Sequence, residues 1–143
     1  MFGPAGFLYV YFTYGMHVCA NVVCGPEGEP TAVLLRAGEV IAGRDAARAR
    51  RLTSTTDADL ARGPARLCVA LGITLDDNGA DLAAGPLGLE PARHPAPVIE
   101  SGPRTGVSGP GGSDEYPWRF WLPGAPTVSP YRRSVPKKRA PVR

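Results

Sequence analysis

The sequence predicts an α+β fold: a curved, mostly antiparallel sheet built on a β-hairpin, with peripheral helices, in a single domain. Three observations carry this. From Leu8 to Cys24 apolar and polar residues alternate with a period of two, as in strands with one face buried. Further on, residues 40–52 and 63–72 are rich in Ala, Leu and Arg and space their side chains for helices. Finally, 143 residues of which 43% are hydrophobic suit one domain with a modest core.

In the first strand Leu8, Val10 and Phe12 alternate with Tyr9, Tyr11 and Thr13. In the second, Met16, Val18, Ala20 and Val22 alternate with His17, Cys19, Asn21 and Val23. Tyr14-Gly15-Met16 separates the two runs, and Gly15 can take the positive φ that a three-residue hairpin loop needs. That loop sets Thr13 opposite His17, Tyr11 opposite Cys19 and Tyr9 opposite Asn21, so the polar groups share a face. A two-residue loop would set Tyr11 opposite Val18 and send Asn21 to the other side. The three-residue register is the preferred one.

Residues 25–30, GPEGEP, form a turn, and 31–37 a third strand in which Arg36 shares a face with Leu34, beside the hairpin's polar face. Residues 40–52 form a helix whose Arg44, Arg48 and Arg51 line one face. Such a row suits a DNA backbone, although a solvated helix face is the commoner use. Residues 53–59 are a polar linker. Gly63-Pro64 then opens a second helix, with Pro in its first turn and Leu67, Ala70 and Leu71 as its buried stripe. The start of that helix makes Gly63 and Arg66 candidates for phosphate contact.

Residues 76–97 are loop-like, with a short strand at 87–89. Strand pieces at 97–100 and 105–107 flank Gly102-Pro103-Arg104, where Arg104 either grips a phosphate or is simply exposed. Residues 108–113 are flexible. Trp118, Phe120 and Leu122 alternate with Arg119 and Trp121 in a last strand that packs on the core. Little order is expected beyond Gly124.

The formal charge is +3, but Arg132, Arg133, Lys137, Lys138, Arg139 and Arg143 crowd residues 132–143, a basic and disordered tail. Such a tail is ordinarily solvated, and it can add salt-sensitive attraction to phosphates. Cys19, Cys24 and Cys68 are odd in number and form no CxxC pair, so they read as reduced thiols of a cytoplasmic protein. With only His17 and His94 besides, no zinc site is expected, and no other metal. The uncharged N-terminal run approaches spanning length, yet its tyrosines, His17 and Asn21 and its strand alternation argue against a membrane segment. It lacks the basic start of a secretory signal.

A hairpin tip carrying Tyr14 and Met16, next to a face with Tyr9, Tyr11 and Asn21, has the parts of a wedge and of a pocket for a planar ligand. Proteins that flip a nucleotide out of a duplex use both. Half-buried strand tyrosines are the plainer reading of the same residues. YVYFTYGMHVCANVV followed by AVLLRAGEVIAG closely resembles the alkyladenine (3-methyladenine) DNA glycosylase family. The resemblance continues through GPARLCVALG, GPRTGV and PWRFWLPG, in the family's order, over most of residues 1–131.

The resemblance implies a monofunctional enzyme of base-excision repair. It would act as a monomer on double-stranded DNA containing damaged purines, with no cofactor. Tyr14 would intercalate, with Met16 and His17 beside it in the minor groove. Tyr11 would wall the damaged-base pocket, and Asn21 would crowd the exocyclic amino group of guanine. Arg36 would help position the attacking water. An electron-rich ring also suits a cationic alkylated purine on physical grounds.

Hydrolysing an N-glycosidic bond passes through an oxocarbenium-like state that a carboxylate normally faces. Residues 1–26 contain no Asp, Glu, Lys or Arg. The resemblance places the family's catalytic Glu, with a Tyr and a His that stack on the base, upstream of the hairpin, so residues 1–131 read as a partial domain lacking its N-terminal part. Met1 is then either an internal methionine of a longer protein or the start of a real truncation. Glu39, three residues past Arg36, is the nearest substitute carboxylate and is better read as opening the next helix. The chain alone is expected to be inactive or nearly so. Two other readings stay open: a noncatalytic DNA- or RNA-binding module, and a nonfunctional fragment.

Overall fold

The computed structural model describes residues 1–90 and 98–134. The fold is α+β, with antiparallel sheets and short helices, and its contacts divide into two compact units, Met1–Ala92 and Arg93–Arg143.

The first unit holds a three-stranded antiparallel sheet of β1 (Leu8–Thr13), β2 (His17–Val23) and β3 (Ala32–Leu34), in that order. Tyr9 pairs with Asn21, Tyr11 with Cys19 and Thr13 with His17, which is the three-residue register. The Met16 amide closes the loop on the Thr13 carbonyl at 3.2 Å. Gly15 has φ +67°, and Tyr14 joins it in the left-handed region at +52°. The third strand is shorter than expected, three residues in place of seven, and pairs Leu34 with Asn21.

One side of β1 and β2 supplies Leu8, Val10 and Ala20 to the core, where they meet Leu60, Ala61, Leu67, Cys68, Ala70 and Ile73. Helix α1 spans Arg44–Arg50, well short of 40–52. The cause is Gly43, left-handed at φ +65°, which ends any helical run arriving from Val40. The supposed linker contains α2 (Asp57–Leu60), whose Leu60 is among the most buried side chains. Helix α3 (Pro64–Leu71) begins at the expected proline and packs on β2. Its buried residues are Leu67, Cys68 and Ala70, while Leu71, the last residue of the helix before the left-handed Gly72, is exposed although it shares a face with Leu67 and Ala70.

Residues 76–90 do more than connect. A 3₁₀ turn at Leu75–Asp77, capped reciprocally by Thr74 and Asp77, delivers residues 78–80 to the free edge of β1. There the Leu8 amide donates to the Ala80 carbonyl (2.9 Å), the Gly79 amide to the Leu8 carbonyl (2.8 Å) and the Val10 amide to Asn78 Oδ1 (3.0 Å). An open edge with unpaired amides is thereby covered. No strand forms at 87–89; the Leu89 amide makes a single bond to the Leu82 carbonyl.

The second unit contains β4 (Glu100–Gly102) paired antiparallel with β5 (Arg119–Trp121). Residue 97 lies outside the described residues, and 105–107 form a turn in place of a strand piece. The last strand inverts the expected facing. Trp118, Phe120 and Leu122 are exposed, whereas Arg119 is 9% exposed, donates to the Ser129 carbonyl at 2.7 Å and lies over the Trp121 ring at 4.7 Å.

Candidate nucleic-acid interface

The tip of the hairpin projects into solvent. Tyr14 is 84% exposed, and Met16, Gly15 and His17 are exposed around it. Nothing packs near Gly15 to constrain the turn from outside. The left-handed backbone at Tyr14 and Gly15 therefore sets where the Tyr14 side chain leaves the turn. A left-handed non-glycine residue costs of order 1 kcal/mol, so the projection is held by the rest of the ladder.

Behind the tip, one face of the sheet carries Tyr9, Tyr11, Thr13, His17, Cys19 and Asn21, fixed there by strand alternation and register. Tyr9 and Tyr11 are stacked, with centroids 5.7 Å apart and planes 16° from parallel. Asn21 is 7% exposed and its Nδ2 donates to the Tyr9 carbonyl at 3.2 Å. Burial raises the Tyr11 phenol above its ordinary 10.0, and the Cys19 thiol opposite it, with Tyr9 and Tyr14, pushes in the same direction. No carboxylate is among the groups that act on Tyr11. Under this face Cys68 is wholly buried; burial, helped by Cys19 and opposed by a hydrogen bond from the Ala20 backbone, pushes its thiol up to about 11.

The structure thus brings Tyr11 and Asn21 to one face and keeps Tyr14, Met16 and His17 together at the tip. Arg36 is half-buried, two residues past the end of β3, so strand alternation does not carry through to it. One feature went unused in the sequence, the stack of Tyr9 on Tyr11, although the strand period sets the two rings on one side two residues apart.

The row of arginines on α1 is engaged within the protein. Arg44 Nε donates to the Val40 carbonyl (2.9 Å) and Arg51 Nε to the Leu60 carbonyl (3.0 Å). Arg48 holds both oxygens of Asp57 and also Asp45. Arg66 is paired with Asp59, which also faces Arg51, while Gly63 caps α3 with φ +131°. The Gly63 amide donates to the Ala61 carbonyl at 3.2 Å, and the Arg66 side chain stays about half exposed beside Asp59. Arg104 is half-buried in the turn after β4, its guanidinium beside Gly111. In the tail, Arg132 and Arg133 are exposed; Lys137, Lys138, Arg139 and Arg143, like His94, lie outside the described residues. Glu39 is exposed and 3.9 Å from Arg44, a surface pair.

Among the described residues no group of three or more His, Cys, Asp or Glu could hold a metal ion, and no helix is long and apolar enough to cross a membrane.

The family model described as methylpurine-DNA glycosylase matches residues 1–126. A protein of Leifsonia xyli is 58% identical over 137 residues, covering 93% of this chain and 64% of its own length. One of Nocardia farcinica is 59% identical over 137 residues (94% and 63%), and one of Streptomyces avermitilis 54% identical over 143 (97% and 66%). All three carry the provisional name 3-methyladenine DNA glycosylase. The chain spans about two thirds of the length of these curated relatives.

Proposed function

We propose, on the premise that the chain belongs to the methylpurine-DNA glycosylase family, that it reads alkylated purines in double-stranded DNA by base flipping, as the damage-recognition part of a DNA-3-methyladenine glycosylase of base-excision repair. The observation that carries this reading is the pairing of an outward, backbone-aimed Tyr14 with a half-buried aromatic face immediately behind it. Insertion of the Tyr14 ring fills the gap left by the displaced nucleotide, with Met16 and His17 following the minor groove. The extruded base rests on Tyr11, and a positively charged alkylated purine gains most from an electron-rich ring. Asn21, buried and tied to the Tyr9 carbonyl, is a fixed obstacle at the pocket wall that crowds the exocyclic amino group of guanine.

The reaction of such an enzyme breaks the bond between base and deoxyribose and adds water at the sugar carbon, with the purine leaving. Arg36 is the residue proposed to help place that water. A carboxylate facing the developing charge is absent from the hairpin, and Glu39 is held at the surface by Arg44. On that ground the chain by itself is expected to bind damaged duplex and to be inactive or nearly so as a catalyst.

The test compares a duplex carrying one 3-methyladenine with the same duplex unmodified. The chain binds the lesion more tightly, releases no base, and loses about tenfold in affinity on Tyr14→Ala, as loss of about 1–3 kcal/mol of stacking requires. Base release would overturn the binding-only reading. Unchanged lesion affinity in Tyr14→Ala would remove the wedge.

A further inference from the structure

We infer that Tyr9 is a positioning residue for base recognition: by stacking on Tyr11 it occupies one face of that ring and confines a planar ligand to the face on the hairpin-tip side, between Tyr11 and the Thr13–His17 pair. This rests on the reading above and narrows it.

The two rings project from the same side of β1, two residues apart, and lie 5.7 Å from centroid to centroid at 16°. A third planar group between them would need roughly 7 Å, two van der Waals spacings of about 3.5 Å. The gap is too small, so the Tyr9 side of Tyr11 is closed to a base. Tyr9 precedes Tyr11 in the strand, and the open face of Tyr11 therefore looks along β1 toward Thr13, whose cross-strand partner is His17.

Both flanks of Tyr11 are set. Cys19, 4% exposed, stands directly across the ladder from Tyr11. Tyr9 is itself held by the Asn21 amide on its carbonyl and by ladder pairing with Asn21. A platform with one side closed and its edge held presents a single orientation to a ligand, and the side left open is the one nearest the intercalating tip. A nucleotide displaced by Tyr14 then has the shortest path to its resting place.

The experiment uses the full chain with Tyr9→Val, a strand-compatible residue without a ring, and Tyr9→Phe, which keeps the ring; Tyr9→Leu stands in if the valine variant fails to fold. The first readout needs no DNA. The Tyr11 ring protons, shielded by the Tyr9 ring, move downfield in Tyr9→Val and stay in place in Tyr9→Phe. The second is the ratio of affinities for the 3-methyladenine and unmodified duplexes. Tyr9→Val lowers the ratio threefold to tenfold, about what one aromatic pair contributes, with affinity for unmodified duplex kept within about twofold; Tyr9→Phe retains the ratio. Unmoved Tyr11 resonances in Tyr9→Val overturn the proposal, as does a ratio that falls in Tyr11→Ala but not in Tyr9→Val. Failure of the underlying reading is distinct: the unsubstituted chain then shows no lesion preference and Tyr11→Ala changes nothing, which removes both.

Discussion

In the β1–β2–β3 sheet the apolar residues Leu8, Val10 and Ala20 face the core, whereas in the β4–β5 pair the apolar Trp118, Phe120 and Leu122 face outward and an arginine lies inside. Both sheets alternate equally well in sequence. Alternation divides a strand into two faces, but which face is buried depends on what each side chain meets. Leu8 and Val10 meet a helix-lined core. Arg119 meets the Ser129 carbonyl and the Trp121 ring, which satisfy a guanidinium that burial would otherwise penalise.

The largest effect that would sharpen this contrast is in the first sheet. Leu8→Ala should cost about 2–5 kcal/mol, by lost burial and the cavity left behind, measured by urea unfolding followed by circular dichroism. A loss under about 1 kcal/mol would mean that the site collapses and the core is less defined than it looks.

Alkaline unfolding tests the same core. The Cys68 thiol titrates near its ordinary 9.0 when unfolded and at about 11 when folded. Between those values the unfolded chain has already released the proton that the native chain retains. Stability is thus complete below pH 9 and falls as pH rises toward 11, by on the order of 2 kcal/mol. Cys68→Ala should abolish that increment in a comparison of urea midpoints under reducing conditions, and an identical pH slope in the variant would refute it.

In the second sheet Arg119→Leu should cost about 1–3 kcal/mol, because the Ser129 carbonyl loses its donor. Both tryptophans of the chain, Trp118 and Trp121, lie in this unit, so their fluorescence reports it selectively. If leucine were neutral there, the inward arginine would be incidental. The smallest effect is at Phe120, 65% exposed, where Phe120→Thr should shift stability by no more than about 0.5 kcal/mol. A cost near that of Leu8→Ala would reverse the assigned facing.

The hairpin was legible in the sequence because loop length and period-two alternation together determine its register, and with it the company of Tyr9, Tyr11, Cys19 and Asn21. The family resemblance was legible there too: its longest motif is that hairpin with the strand after it, and the others follow in helix α3 and the turn and strand of the second unit. Other elements were hidden. The pairing of residues 78–80 with β1 is made by backbone groups and one Asn78 side chain, which leave no periodic trace. Helix α1 was read too long because Ala and Arg favour helix on either side of Gly43, and only its left-handed φ shows where the helix starts. The arginines of α1 were ambiguous until the positions of Asp57, the Val40 carbonyl and the Leu60 carbonyl were fixed.

The left-handed turn at Tyr14 bears on speed as well as on shape. A side chain whose base is clamped by the hairpin ladder explores only the rotations of its own two torsions. In the proposed reading it has few orientations to surrender when it meets a duplex, and little searching separates first touch from insertion. A looser bend could place the same ring just as far out, but it would arrive pointing in many directions, and most encounters would come to nothing.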